Sequence, residues 1–142
     1  MRAIKLTALA LCISVQGCRD KPVNANCPGV LPGWTKPSDG MDPHGIHSTV
    51  TMAQDQVLWD GHPVSAAEFH RLLALAPRLS PIDHVLFDPT GARSCREAEQ
   101  VRDEINRLAG CQDRGLCGQG EAREFKRLRD AGHPWMVKIR LR

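Results

Sequence analysis

The fold is decided by residues 84–110, which read HVLFDPTGARSCREAEQVRDEINRLAG. This stretch opens with a short apolar run that a proline and a glycine end, a pattern that predicts a buried strand. Ser94 and Glu97 then have the spacing of a capping box, in which the serine side chain accepts a hydrogen bond from the first helical turn. The apolar residues that follow recur with helical spacing, so we predict a helix over 95–109 that ends at Gly110.

The residues before this stretch predict a hairpin and a second helix. Residues 48–52 and 56–60 are rich in Val, Thr and Trp and are three residues apart, which is typical of two antiparallel strands joined by a short turn. Ser65 and Glu68 form another capping-box spacing, and the apolar residues after it lie at i, i+3, i+4 and i+7. A helix therefore follows the hairpin.

The residues after the central stretch predict a loop, a helix and a last strand. Residues 111–120 contain three glycines and two cysteines, which is typical of a loop closed by a disulfide. Residues 121–130 predict a short basic helix, and residues 135–141 alternate as in a strand with one solvated face. The order β-β-α-β-α-α-β predicts an α+β domain over 46–142, a small four-stranded sheet with two or three helices on one face.

The chain begins with MRAIKLTALALCISVQGC, which has the pattern of a bacterial signal peptide. Its apolar run of ten residues is shorter than the ~20 residues that a membrane helix needs. The last four residues resemble a lipobox, and this resemblance implies cleavage after residue 17 and lipidation of Cys18. The alternative is an ordinary signal peptide that is cut elsewhere and leaves Cys18 as a thiol. Arg19 in place of aspartate implies the outer membrane in enteric-type sorting, so we expect a lipid-anchored protein of the bacterial envelope that faces the periplasm.

Residues 18–45 are predicted to form a lipidated tether. Between Arg19 and Gly45 lie five prolines and four glycines with little periodic hydrophobicity, which is typical of a linker. Within it, Trp34 is expected to dock on the domain beside Cys27. Loss of residues 1–17 removes two of the 19 basic residues and none of the 16 acidic ones, leaving a net charge of +1. That charge gives no reason to expect a nucleic-acid partner.

Four cysteines follow Cys18 in the sequence, and an oxidising compartment favours two disulfides among three possible pairings. The predicted helix separates Cys95 from Cys111 by roughly 24 Å, beyond the ~7 Å that a disulfide spans between Cα atoms. Pairing Cys95 with Cys117 requires the loop between Cys111 and Cys117 to run back along most of the helix, which its length barely permits. We favour Cys27–Cys95 and Cys111–Cys117, with four free thiols as the alternative.

Residues 50–110 resemble the periplasmic domain of the ExbD/TolR biopolymer-transport family. The resemblance rests on the hairpin VTM and VLWDGHPV, the helix after it, the strand VLFD and a helix that ends in LAG. It implies a periplasmic module that binds peptides, the cell wall or another envelope protein. The family also carries a transmembrane helix with an aspartate that couples to proton flow, whereas the leader of this chain contains no acidic residue. We therefore do not transfer the motor role to this chain.

The sequence contains no motif for catalysis. It has no Gly-x-Ser-x-Gly turn, no Cys-x-x-Cys pair and no phosphate-binding loop. His44 and His47, with Asp42 nearby, are the best metal candidates, but they lie beside a Pro/Gly-rich segment that supplies no fixed geometry. We predict no catalytic residue, no metal and no cofactor.

A basic C-terminal region is the best candidate for binding. Residues 121–142 carry seven basic and three acidic side chains, a surface that attracts acidic lipid headgroups, cell-wall polymers or an acidic protein. The alternative is a solvated surface that keeps the domain soluble. The candidate binding residues are Arg123, Lys126, Arg127, Lys138 and Arg140.

The function predicted from these features is a membrane-anchored envelope lipoprotein that acts as a non-catalytic interaction module. Its expected partners are the membrane, through the lipid, and another envelope protein or a cell-wall polymer. The alternatives are a periplasmic metal-binding protein or enzyme, and an immunity lipoprotein that inhibits a toxin. An enzyme or metal site would bring polar groups together in one pocket, and the candidates for it are Asp60, His62, Asp88 and His133.

Overall fold

The computed structural model describes residues 23–39, 46–53, 55–80 and 83–130. The strands in these ranges are β1 (Ile46–Ala53), β2 (Gln56–Trp59), β3 (His62–Pro63), β4 (Asp83–Asp88) and β5 (Cys117–Gln119). The helices are α1 (Ala66–Leu75), α2 (Cys95–Ala109), α3 (Cys111–Arg114) and α4 (Ala122–Asp130), with short 3-10 turns at Pro37–Asp39 and Ala76–Arg78.

The strands form one mixed sheet in the order β3-β2-β1-β4-β5. β1 pairs antiparallel with β2 and parallel with β4, and β4 pairs parallel with β5. The predicted mixture of helices and a small sheet is confirmed, but the predicted number and order of strands are wrong. β3 and β5 were not predicted, and the strand predicted at 135–141 lies outside the described residues.

Both predicted capping boxes begin helices. The Ser65 hydroxyl accepts a hydrogen bond from the Glu68 amide, and the Ser94 hydroxyl accepts one from the Glu97 amide, each at 3.2 Å. At the other end of α2, Gly110 has the left-handed backbone, with φ of 68°, that a glycine C-cap adopts. The helices predicted at these positions are therefore confirmed.

The helices lie on both faces of the sheet. Side chains alternate along β4, so Val85 and Phe87 point to one face and Leu86 points to the other. Val85 and Phe87 belong to the main core with residues of α1 and α2, whereas Leu86 packs against Phe125 of α4. The prediction that all helices cover one face is wrong for α4. The residues that α1 and α2 contribute to the main core are Phe69, Leu73, Ala98, Ile105 and Ala109.

Residues 23–39 fold with the domain. Trp34 is 6% exposed and belongs to the main core, and its indole Nε1 donates to Asn106 Oδ1 at 3.1 Å. Thr35 lies beside the outer edge of β5, where its amide donates to the Cys117 carbonyl and its carbonyl accepts from the Gln119 amide, each at 2.9 Å. Trp34 is a packing residue as predicted, but this part of the predicted tether belongs to the folded domain.

Two disulfides are present. Cys27 pairs with Cys95, with their Cα atoms 5.3 Å apart, and Cys111 pairs with Cys117 at 5.2 Å. These are the pairings that the sequence analysis favoured. The loop predicted between Cys111 and Cys117 instead contains α3 and leads into β5. The glycine-containing residues of β5 are in a strand because they pair with β4.

Asp83, at the start of β4, is a buried carboxylate. It is 4% exposed, and its Oδ2 accepts a hydrogen bond from the Ser48 hydroxyl at 2.6 Å. Its Oδ1 is buried and has no hydrogen-bond partner among the described residues. Burial raises the pKa of Asp83 above its ordinary value, and this effect outweighs the opposing hydrogen bonds from Ser48.

We expect the Asp83→Asn variant to gain stability relative to the wild type as the pH rises. Because the pKa of Asp83 is raised in the fold, the folded protein keeps this proton at a pH where the unfolded chain has lost it. The stability that protonated Asp83 contributes is therefore lost as the pH rises from about 4 through the raised pKa of Asp83 in the folded protein. Urea unfolding at about pH 4 and about pH 7 measures the difference. Asp113→Asn, at an exposed site, is the control, and an equal response in both variants would contradict the expectation.

A candidate binding groove at the carboxyl ends of β4 and β5

The candidate site lies where two parallel strands end. Asp88 is the last residue of β4 and Gln119 is the last residue of β5. Because β4 and β5 are parallel, the segments that follow them leave the sheet at the same end. Clefts in parallel sheets form at this end, outside the carboxyl ends of the strands. Residues 23–26 lie at this end of the sheet and form a polar groove with the start of α4.

Asp88 positions α4. Its side chain is 8% exposed. Oδ1 accepts from the amide of Thr90 at 2.9 Å and from its hydroxyl at 2.6 Å, and Oδ2 accepts from the amide of Ala122 at 2.7 Å. Ala122 is the first residue of α4, whose first-turn amides lack helical partners. The Asp88 carboxylate therefore joins the end of β4 to the start of α4.

Gln119 holds the N-terminal segment in place. It is 1% exposed, and its Nε2 donates to the Ala25 carbonyl at 3.0 Å and to the Pro28 carbonyl at 2.6 Å. These two acceptors determine the orientation of the amide. Oε1 is buried and has no hydrogen-bond partner within the part of the chain that the structure describes. One side chain at the end of β5 thus connects to two carbonyls of residues 25–28.

Two neighbouring pockets make up the groove. The larger one, of about 470 Å³, is lined by Val23, Asn24, Asp88, Thr90, Glu121 and Arg123. The smaller one, of about 270 Å³, shares Asn24 and Glu121 with it. Amide, hydroxyl and charged side chains of both signs line these pockets, which is a surface suited to polar ligands. The other residues of the smaller pocket are Ala25, Asn26, Lys36, Pro37, Ser38, Gln119, Gly120 and Glu124.

The predicted basic helix is α4, which borders the groove. Phe125 is 5% exposed and faces the sheet, whereas Arg123, Lys126 and Arg127 are exposed. These three basic residues lie at i, i+3 and i+4 and therefore share one face of the helix. Arg123 forms an ion pair with Glu121. The other predicted site residues, Cys18, Lys138 and Arg140, lie outside the described residues.

The predicted metal and catalytic candidates do not come together in this groove. Asp88 lines the larger pocket, but Asp60 and His62 lie in β3 and the turn before it, at the opposite edge of the sheet. His133, His44 and Asp42 are outside the described ranges. Across β1 and β4, His47 and His84 are neighbours, with ring centroids 5.3 Å apart. Within the described ranges, no cluster of three or more His, Cys, Asp or Glu side chains is arranged to hold a metal ion.

Sequence reasoning missed the groove because its residues are distant in the chain. Asn24 and Ala25 belong to the predicted tether, and Gln119 belongs to the predicted loop. The local signals are Asp88, a carboxylate that directly follows the apolar core of a strand, and Arg123 in the basic helix. From the sequence, Asp88 is a pocket candidate together with Asp60, His62 and His133, whereas Arg123 belongs to a separate basic surface. No described helix has the length and apolar character that crossing a membrane requires. Comparisons with known protein families, with curated proteins and with solved structures found no match to this chain.

Proposed function

We propose that this chain is an envelope lipoprotein, anchored by a lipid on Cys18, and that its disulfide-bonded domain is a non-catalytic interaction module. The observation that carries this proposal is the pairing of Cys27 with Cys95 and of Cys111 with Cys117. Disulfides persist in oxidising compartments such as the periplasm. The four paired residues are all the cysteines that follow Cys18 in the sequence, which supports a different role for Cys18.

The groove supports a binding role for the domain. The Asp88 carboxylate and the Gln119 amide hold α4 and residues 25–28 in place, and the groove between these elements is lined with polar and charged side chains. The exposed basic face of α4 borders it. These features support another envelope protein or a cell-wall polymer as the partner, since both present polar and charged groups.

We expect the Cys18→Ser variant to leave the membrane. Two or more acyl chains anchor a protein stably, whereas a chain without them has no comparable attachment. The full-length protein is produced in a Gram-negative host, and membrane and soluble fractions are separated. The wild type should require detergent for its release, and its N-terminal peptide should carry a lipid mass on Cys18.

The matched control is Cys12→Ser, in the predicted leader, which should fractionate as the wild type does. Membrane retention of a Cys18→Ser chain from which the leader has been removed, or an unmodified Cys18 in the native protein, would overturn the proposed anchoring. Non-reducing peptide mapping of the same sample tests both disulfides.

A further inference from the structure

We propose that the docked N-terminal segment holds the α4 side of the domain against the membrane that carries the anchor, where Arg123, Lys126 and Arg127 contact anionic lipid headgroups. This inference rests on the proposed function, because it requires a lipid on Cys18. It adds an orientation for the domain and a partner for the basic face of α4.

The segment next to the anchor is attached to the domain at several points. The Cys27–Cys95 disulfide joins it to the start of α2. The Gly29 carbonyl accepts a hydrogen bond from the Arg102 guanidinium at 2.6 Å, and Arg102 is itself 5% exposed. Gln119, at the end of β5, donates to the carbonyls of residues 25 and 28. These bonds come from two different elements, α2 and β5, so the segment has a defined position on the domain.

The remaining connection to the anchor is short. Val23 is five residues after Cys18, and five residues span at most about 18 Å when fully extended. The surface around Val23 must therefore lie within about 18 Å of the lipid-bearing residue. A free tether of the predicted 28 residues would have reached about 100 Å by the same measure, which would have left the orientation of the domain undetermined.

Val23 lies at the carboxyl end of the sheet, where its side chain packs against the main core. Val23 and Arg123 line the same pocket. Lys126 and Arg127 lie about one turn, ~5.4 Å, further along the same helix face. The α1 and α2 helices, which carry Arg71 and Arg107, pack on the other face of the sheet. The basic face of α4 therefore begins at the pocket where the short connection enters the domain.

The charges on this face suit anionic headgroups. In the described part of the chain, no acidic side chain forms an ion pair with Lys126 or Arg127, so their charges are available to a partner. The connection itself adds Arg19 and Lys21 next to Cys18. Glu121, which is ion-paired with Arg123, and Glu124 oppose the attraction, and both line the smaller pocket. Basic residues near an anionic lipid surface are attracted to it within about one Debye length, ~8 Å in physiological salt.

Arginine footprinting of the lipidated protein tests this orientation. Protein with a verified lipid mass on Cys18 is reconstituted into phosphatidylcholine vesicles, with or without phosphatidylglycerol, and treated with phenylglyoxal. The side chains of Arg123, Arg71 and Arg107 are similarly exposed, at 73%, 64% and 66%, so the last two are internal controls. We expect phosphatidylglycerol to slow modification of Arg123 and Arg127 about five-fold and to leave Arg71 and Arg107 unchanged.

A pair of matched variants tests the role of charge. The α4 variant replaces Arg123, Lys126 and Arg127 by Gln. The control variant replaces the exposed Arg71, Arg78 and Arg107 by Gln, which removes the same charge from α1, the turn after it and the end of α2. The readout is tryptic cleavage between Arg19 and Asp20 on anionic vesicles, which measures access to the connection. We expect several-fold faster cleavage in the α4 variant than in the wild type or the control variant.

Each other outcome has a definite meaning. Equal protection of the two arginine pairs, or protection that does not depend on phosphatidylglycerol, would overturn this inference. The proposed function would stand in that case, because the lipid mass on Cys18 is verified beforehand. Protection in native membranes but not in anionic vesicles would indicate a protein partner and would also overturn it. Absence of the lipid would instead refute the proposed function.

Discussion

A variant in which Cys27 and Cys95 are both alanine is expected to lose about 4 kcal/mol of unfolding free energy. The bond joins residues that are 68 positions apart, so its loss restores much conformational freedom to the unfolded chain. Cys95 is exposed and Cys27 is half-buried, so the substitutions leave little cavity in the core. The cross-link itself should therefore account for most of the loss.

Urea unfolding of the single and double variants checks this expectation. Either single substitution already breaks the bond, so each of Cys27→Ala and Cys95→Ala should cost about as much as the double variant. Such strong non-additivity is typical of two residues that share one interaction. Costs that instead add up across the two single variants, or an unchanged midpoint in all three, would contradict a cross-link at this position.

Gly91→Ala is expected to cost about 3 kcal/mol, the upper end of the range for inserting a group where no space exists. A Cβ atom on Gly91 would lie 1.7 Å from the Met52 carbonyl oxygen. That oxygen belongs to the backbone of β1, and Met52 is paired with Val57 of β2. The clash therefore cannot be relieved by a side-chain rotation, and either the strand or the loop after β4 must move.

The control for Gly91 is Gly29→Ala. A Cβ on Gly29 would meet no atom within 4 Å, so we expect a change of less than about 0.5 kcal/mol. Thermal or urea unfolding of the two variants measures the contrast. Gly91 is exposed, so an equally small effect at both positions would show that the loop after β4 accommodates the methyl group.

The elements that the sequence predicted are those with strong local signals. Both capping boxes, the helical spacing in α1 and α2, and the Val, Thr and Trp residues of β1 and β2 act over a few residues, and each predicted element is present in the structure. β5 has no such signal, because Cys117, Gly118 and Gln119 lack an apolar run. They form a strand because β4 pairs with one edge and Thr35 lies beside the other. The face of the sheet that α4 covers is likewise determined by tertiary contacts and has no signal in the local sequence.

The candidate site was predicted less well than the fold. The basic helix followed from composition, but the groove depends on contacts between residues far apart in the chain. Gln119 meets the Ala25 carbonyl across a separation of 94 residues. Trp34 meets Asn106 across 72 residues. No periodic pattern encodes such pairs, and the prolines and glycines of residues 23–39 indicated a linker although this segment packs on the core.

The docking of the N-terminal segment also affects how the domain is assembled. Residues 25–29 obtain their partners from Cys95, Arg102 and Gln119, which all come much later in the chain. Residues 25–29 therefore form their native contacts only after nearly the whole domain has been synthesised. The long loop between them and their partners must close, which has an entropic cost. A lipid on Cys18 would attach the chain to the bilayer before this closure, so that the domain would complete its folding at the membrane surface.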